Sequence, residues 1–572
     1  MDFEKLVIVY EKLENTASGN AMREILAEFF KTVPKDDIKL VSYLTLGQLS
    51  SDFENTVLGL AEKSVLKSII VASGKESSKV KKLMQTSGDV GLVAEEVLKN
   101  KPMTLVPLGK LTIHELEEKL KKIATLSGSG SSDQKTNILA GMLQKSSAKG
   151  AKYLARISLG TLRMGVAAKT VIDSLAIAFT GDKSNKTILE TAYNICPDIG
   201  IIAETLAKKG LEEVEKTKIH VGIPIQMMLG QRVKSLEQAQ EKIPGKLTVE
   251  AKYDGERVQA HMDKTGKVKL FSRRLEEITN QFPDLVEHLK KSIKAKDYIL
   301  EGEILAIDKK NGKPLPFQTL MQRRRKYDVE QYVKDIPIQL KVFELLYLNG
   351  ESWLNQPYYK RSEKLSEIVK KDSEVSLTER IITDNVKEID VFFKKMLKSG
   401  YEGIFMKSRA EDSYYQAGVR GWNWIKWKKE YVQEMVDTFD LAVVGGFYGK
   451  GKRSGGYGAL LCASYNHDND TFETFCKLGT GLTDELIAEL PEKLKKYKLD
   501  KKPARLVIKK EMHPDVWFEP EIIVEVFGAE ITKSPFHTCG SGLALRFPRF
   551  IQFRDNKKAE QANTSEEIEG LV

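Results

Sequence analysis

EAKYDGER, residues 250–257, is the stretch on which the reading of this chain turns. It follows the strand-like KLTV (246–249), so Lys252 stands at the end of a β-run among an aromatic, acids, a glycine and an arginine. Asp254-Gly255 is a common turn signal, and a solvated turn explains that pair. It does not explain the lysine, and the rest of the chain has to.

At 572 residues the chain is long enough for roughly three or four domains. Its 41% hydrophobic content is ample for packed cores. Basic residues number 90 and acidic ones 80, a net charge of +10, so a nucleic-acid footprint must come from local clustering rather than total charge. Cys196, Cys462, Cys476 and Cys539 form no C-x-x-C pair. They fit neither a zinc site nor a secreted disulfide framework, which points to a reducing, cytoplasmic compartment. The opening MDFEKLVIVYEKLENT is too charged for a signal peptide, and no apolar run approaches a membrane span, so no membrane partner is expected.

Residues 1 to about 214 read as helical: MREILAEFFKTV and TIHELEEKLKKIATL carry apolar residues at helical spacing with charged opposite faces. SGSGSS (127–132) reads as a flexible loop between helices. From about 215, short β-branched runs (KLTVEAKY, KVKLFSRR, YILEGEILAID, IQLKVFELLYL) alternate with turns and a few helices, the texture of a mixed-sheet domain. Beyond GWNWIKWKKEY the runs DLAVVGGFYG, GALLCASY, ARLVIKKE and EIIVEVFGAEI suggest a small barrel.

GFYGKGKR (446–453) nearly matches a phosphate-binding P-loop. Arg453 stands where the metal-binding Ser or Thr belongs, and the glycines that follow argue against the helix a P-loop must open, so a glycine-rich hairpin is the better reading. Gln134 to Ile172 holds seven basic residues and no acid. Lys145, Lys149, Lys152, Arg156 and Arg163 fall at offsets of 4, 3, 4 and 7, near one helical face, and the missing acids favour contact with a nucleic-acid backbone over an ordinary solvated surface.

Further clusters follow Lys252 at increasing distance. They are FSRRLEE with Arg273, LEGEILA with Glu301 and Glu303, KVFELLYLNG with Phe343 and Glu344, and EGIFMK with Glu402 and Lys407. VRGWNWIKWKKEY adds Arg420, Lys426 and Lys428, and LRFPRFIQFRDNKK lies near the end. Singly, such charged strand ends are usually solvated. Together they supply what phosphoryl transfer needs: cations for phosphate oxygens, carboxylates for a magnesium ion, and a ring to stack a base.

In order, KYDGER, FSRR, LEGEI, VFELLYLNG, EGIFMK, WIKWKK and LRFPRFI resemble the motifs of ATP-dependent DNA ligases of the covalent nucleotidyltransferase superfamily, most of all the archaeal and eukaryotic replicative type. The resemblance runs from about Gly222 to the C-terminus and reaches the helical region through YLARISLGTLRMGVA. It implies a multidomain fold: an all-α DNA-binding domain (1–214), an α+β nucleotidyltransferase (adenylation) domain (215–430) and a C-terminal β-barrel of OB-fold type (431–572). The implied activity is sealing of nicks in double-stranded DNA with ATP and Mg2+, through AMP carried on a lysine, in replication, repair and recombination. A monomer is expected, and a sliding clamp is an expected partner. The nearest clamp motif, REILAEFF (23–30), has Arg23 where glutamine belongs, and its Phe29-Phe30 reads as helix core.

By position, the resemblance makes Lys252 the nucleophile that takes AMP. An ordinary lysine, with a pKa of about 10.4, is protonated at neutral pH and needs cationic neighbours, metal or desolvation to free its lone pair. Lys407, Lys426 and Lys428 are expected to supply that field and hold the α-phosphate. Glu250 is expected to meet the adenine amino group, Phe343 to stack the ring and Arg257 to reach the ribose, with Arg273 and Arg420 on phosphate or ribose oxygens. Glu303 and Glu402 are the expected magnesium ligands; strand alternation is expected to turn only one carboxylate of the EGE pair inward, which disfavours Glu301. Arg554 and Lys557 are expected to contact the pyrophosphate, although Asn556 and Gln552 depart from the family's usual acid and basic residue there, and Glu344 replaces its usual aspartate. An RNA ligase or a capping guanylyltransferase would share the lysine but not the first 214 residues, and a non-catalytic clamp would have no use for Lys252.

Overall fold

The computed structural model describes the chain except for residues 17, 55, 88, 102–108, 234, 325–328, 371–373, 429–436, 450–455 and 529. The chain folds into two compact units, each assembled from separate segments. One gathers residues 1–193, 198–216 and 439–565; the other gathers 194–197, 217–438 and 566–572.

The described residues from Phe3 to Glu215, which but for 194–197 belong to the first unit, form helices joined by loops. Their apolar spacing explains the packing: Phe3, Leu6, Val7, Tyr10 and Leu13 of Phe3–Asn15 all turn inward at i, i+3, i+4, i+7 and i+10. Helix starts are fixed by side-chain caps, Ser18 accepting from the Ala21 N–H and Asp198 from the Ile201 N–H. Leu26, Phe29 and Phe30 of the REILAEFF helix are buried in this core, and Arg23 pairs with Asp173 at 2.7 Å. That segment is packing.

The same unit carries a sheet built on Asp437–Tyr448, Tyr457–Asn466 and Thr471–Leu478, paired antiparallel in sequence order. Ile523–Gly528 extends it and pairs with Arg549–Phe553. The P-loop-like run enters the first of these strands, where Tyr448 pairs with Tyr457 across a hairpin; its residues 450–453 lie outside the described residues.

The acid-free stretch changes meaning in the structure. Its cations meet acids supplied from elsewhere in the chain: Lys145 pairs with Glu115, Lys149 with Glu11, and Lys152 with Glu14, each at 2.7 Å. Arg156 is only 3% exposed, clamped by Asp89 at 2.9 Å and Glu14 at 3.0 Å, and Arg163 also binds Asp89. The cations expected to contact a nucleic-acid backbone are thus ion-paired within the chain, with Arg156 buried and Lys149 exposed.

The second unit is built on two sheets. The first holds β1 (Leu229–Gln231), β2 (Leu247–Lys252), β9 (Arg380–Thr383), β10 (Gly403–Ser408) and β11 (Arg420–Lys428), in the order β1-β11-β10-β2-β9. The second holds β3 (Glu256–Met262), β4 (Val268–Ser272), β5 (Tyr298–Ala306), β6 (Ile338–Leu348) and β7 (Glu351–Ser352), in the order β4-β3-β5-β6-β7, with β8 (Val375–Leu377) beside β6. Each sheet buries one face in its own core. Helices Leu236–Lys242 and Val386–Lys398 cover the first, and helix Pro283–Ser292 packs on the second.

Candidate active site

Strand alternation places the lysine. Leu247, Val249 and Ala251 of β2 enter the core, so Thr248, Glu250 and Lys252 line the opposite face. Antiparallel register fixes their neighbours. Gly403 lies opposite Lys252 and Phe405 opposite Glu250 on one side, while β11 sets Lys428 opposite Gly403 and Lys426 opposite Phe405. One sheet face therefore carries Glu250, Lys252, Phe405, Lys407, Lys426 and Lys428.

The turn after Lys252 is not simply solvated. A Cβ on Gly255 would sit 2.2 Å from the Ile304 carbonyl oxygen and 2.9 Å from Glu303 Cγ. Only glycine lets the chain cross so close to β5. That crossing joins the two sheets beside the lysine.

Lys252 Nζ donates to Glu402 Oε2 and lies 5.3 Å from the Phe405 ring centroid. Glu402 also binds Lys428, and its N–H donates to the Lys252 carbonyl at 2.9 Å. Burial alone would push the Glu402 carboxyl up, but the Lys252 and Lys428 ammoniums outweigh it and hold that group well below the usual carboxylate range. Glu303 behaves oppositely: burial pushes it up to about 7, and the nearby Glu402 and Asp254 charges add to this against Lys252 and Arg257.

Arg257 donates to Glu301 Oε2 at 2.7 Å and to the Met228 carbonyl at 2.8 Å. Its guanidinium lies 5.5 Å from the Phe343 ring and 5.4 Å from Trp424. The alternation argument against Glu301 fails, because residues two apart on a strand share a face: Glu301 lies opposite Gln259 and Glu303 opposite Arg257 on β3. Glu301 is nevertheless taken up by Arg257, Gln259 (3.1 Å) and the Tyr415 hydroxyl (2.9 Å), and it is fully buried.

Lys407 is where the expected site changes most. Its register partner on β2 is Thr248, four residues before Lys252, or about 13 Å along the strand. It is buried, pairs with Glu250 Oε2 at 2.7 Å, donates to the Phe343 carbonyl at 3.1 Å and lies 4.3 Å from the Trp424 ring. Lys407 therefore supports Glu250 and is not beside Lys252. Phe343 meets Trp424 edge-on, with centroids 6.3 Å apart.

Lys426 and Arg420 share a partner no motif indicated, the buried Glu567 carboxylate, which lies 3.6 Å from Lys426 Nζ and ion-pairs with Arg420. Burial brings Lys426 down to about 7 against the pull of Glu567, with Arg420, Arg232 and Lys428 lowering it further. Arg273, half-buried, follows the end of β4. Arg554 belongs to the other unit, where it binds Glu525 at 3.2 Å; Gln552 shares that carboxylate at 2.8 Å, and Lys557 binds Asp440.

Other buried groups of the site were also silent in the sequence. Tyr358, heading helix Tyr358–Ile368, donates its hydroxyl to Glu250 Oε1. Three residues on, Arg361 grips Glu344 through two hydrogen bonds of 2.8 and 3.0 Å, so Glu344 is a packing carboxylate. Pro357 at the helix start was the available local signal, and it marks a helix rather than a partner.

Three family descriptions match successive parts of the chain: DNA ligase N terminus over residues 2–176, ATP dependent DNA ligase domain over 227–428, and ATP dependent DNA ligase C terminal region over 453–557. The chain is 45% identical over 585 residues to DNA ligase 2 of Thermofilum pendens, covering 99% of this chain and 96% of that protein. It is 43% identical over 581 residues to DNA ligase 1 of Methanosarcina acetivorans, covering 100% and 99%. It is also 43% identical over 576 residues to the DNA ligase of Nitrosopumilus maritimus, covering 99% and 97%. The chain belongs to the ATP-dependent DNA ligase family. It is an enzyme that uses ATP to join DNA ends, of the type found in archaea. No helix among the described residues is long and apolar enough to cross a membrane.

Proposed function

We propose that Lys252 attacks the α-phosphate of ATP, releasing pyrophosphate, and passes the AMP it then carries to the 5′-phosphate of a nick, which frees the lysine, before the 3′-hydroxyl attacks that phosphate and AMP leaves. One observation carries this reading: Lys252, Glu402 and Lys428 form a single ion-paired cluster whose Lys252 and Glu402 charges act on Glu303, and Arg257, which also acts on Glu303, packs against the Phe343 and Trp424 rings. Held by Glu402, the lysine is positioned, and it must leave that ion pair to turn its nitrogen on the α-phosphate. Lys428 and Lys426, which lie on the same sheet face, meet the α-phosphate in this reading. Glu250 meets the adenine amino group, Phe343 stacks the ring, Arg257 reaches the ribose, and Arg273 and Arg420 bind phosphate or ribose oxygens; Arg420 must first exchange Glu567 for its ligand.

Glu303 and Glu402 suit a hard divalent cation, because the Glu402 charge acts on Glu303 and the charge on Glu303 is disfavoured there. Bound there, Mg2+ would offset charge on the phosphates. In this reading residues 1–214 are an all-α DNA-binding domain, 215–430 the adenylation domain and 431–572 an OB-fold domain, and the enzyme is a cytoplasmic monomer serving replication, repair and recombination.

The test is a nick-sealing assay on the full chain with ATP, NAD and GTP in parallel and Mg2+ present or removed by chelation. Sealing with ATP and Mg2+, accompanied by transfer of label from α-labelled ATP to protein, is expected. Sealing without any protein-bound label would overturn the lysyl-AMP route.

A further inference from the structure

Glu250 has donors on both carboxylate oxygens, and neither donor comes from its own strand. Lys407 Nζ sits 2.7 Å from Oε2, and the Tyr358 hydroxyl donates to Oε1. All three side chains are nearly excluded from water, at 2%, 1% and 1% exposure for Glu250, Lys407 and Tyr358. The donors are themselves fixed. Lys407 lies 4.9, 4.6 and 4.3 Å from the ring centroids of Phe343, Tyr358 and Trp424, and hydrogen-bonds the Phe343 carbonyl. The Tyr358 N–H donates to Ser413 at its hydroxyl (2.9 Å) and its carbonyl (3.1 Å), and Arg361, clamped to Glu344, stacks 5.5 Å from the Tyr358 ring. Burial, with the Glu250 and Glu344 charges, raises the Tyr358 phenol well above its ordinary value, so it stays a donor.

A purine shows its identity at position 6. Adenine carries an amino donor there and guanine a carbonyl acceptor. A carboxylate oxygen with a free lone pair accepts from the amino group and repels the carbonyl, but only if it is held facing the base. Lys407 restrains one oxygen; without a second restraint the carboxylate can rotate about its Cγ–Cδ bond, a broad torsion.

We infer that Tyr358 is a positioning residue for base selection: its hydroxyl, working with Lys407, locks Glu250 so that the pocket accepts a 6-aminopurine nucleotide and rejects a 6-oxopurine. The inference rests on the reading above that Glu250 meets the base.

Tyr358→Phe removes one oxygen and keeps the buried ring. Transfer of label to the full-length enzyme is measured with ATP, GTP and purine riboside triphosphate, which lacks the 6-amino group, and unfolding is followed in parallel. The ATP concentration for half-maximal transfer should rise about tenfold, the scale of one hydrogen bond to a charged group, with the loss falling there rather than on the rate at saturation. The parent should lose about tenfold or more when the 6-amino group is removed from the nucleotide, and Tyr358→Phe should lose far less, because the amino group no longer finds an oriented acceptor. If parent and variant lose the same factor, Tyr358 does not act through the amino group and the inference is overturned, whatever happens to stability. Glu250→Gln separates the two layers. If its ATP-over-GTP preference equals the parent's, Glu250 does not meet the base and the underlying reading fails as well. If that preference collapses while Tyr358→Phe keeps it, the reading of Glu250 stands and the role of Tyr358 is refuted.

Discussion

Replacing Arg156 with methionine distinguishes a structural cation from a DNA contact. The guanidinium is 3% exposed and pairs with Asp89 at 2.9 Å and Glu14 at 3.0 Å. Removing one partner of a buried pair costs about 3–5 kcal/mol, chiefly because the remaining charges stay buried without compensation. Arg163 still binds Asp89 at 2.8 Å, so the lower end applies, and the unit containing Arg156 should melt roughly 4 °C earlier. A pH signature accompanies the shift. Burial would raise the Asp89 carboxyl, but Arg156 and Arg163 outweigh it and hold it below its ordinary value. A depressed carboxyl contributes stability above the unfolded pKa of about 4 and loses it as pH falls through the folded value. The gap between parent and variant should therefore be widest near neutral pH and should close in acid. Calorimetry across that range, with nicked-DNA binding measured against salt, is the assay. A variant that melts with the parent but shows a salt slope smaller by about 0.9 would place Arg156 on a phosphate and refute the reasoning.

Three further outcomes follow from the same geometry. Gly255→Ala drives a methyl group into the Ile304 carbonyl, 2.2 Å away, and into Glu303 Cγ; AMP transfer should fall at least about tenfold, with a stability loss of about 1–3 kcal/mol by thermal unfolding, and parent-like transfer would show that the close crossing is not needed. Glu519, whose carboxyl burial and Glu521 push up to about 7, contributes stability that is complete below its unfolded pKa and lost as pH rises through 7, so Glu519→Gln should gain on the order of 2–3 kcal/mol at pH 8 and nothing near pH 4, as read from melting curves at both. Arg554→Ala, removing a group now paired with Glu525, should slow AMP transfer from ATP by about tenfold or more while sparing a nick supplied with its 5′-adenylate in place; equal losses in both assays would assign Arg554 to folding or DNA grip.

What the sequence disclosed followed the range of the interactions involved. Helical spacing in the first 215 residues and strand runs beyond are local patterns, and both elements form there. The charged strand ends were visible as well, and strand register brings Lys252, Glu402 and Lys428 together. Register itself was not legible, which is why Lys407 was expected beside Lys252 and instead lies four residues down the ladder, under Glu250. Long-range pairing was equally hidden: the acids that neutralise Lys149 and Arg156, Glu11 and Glu14, lie some 140 residues earlier in the chain. Tyr358 and Glu567 escaped for the same reason, since a hydroxyl or carboxylate in an ordinary helical stretch carries no mark of the distant group it will meet.

The most direct measurement is of where AMP is attached. Full-length enzyme incubated with ATP and Mg2+ is digested and its peptides weighed, in parallel with Lys252→Ala assayed for nick sealing. AMP on the peptide that carries Lys252, absent from every other peptide, and a variant that seals no nicks from ATP are the expected results. AMP on another lysine, with Lys252→Ala still sealing, would contradict the assignment of Lys252 as the nucleophile.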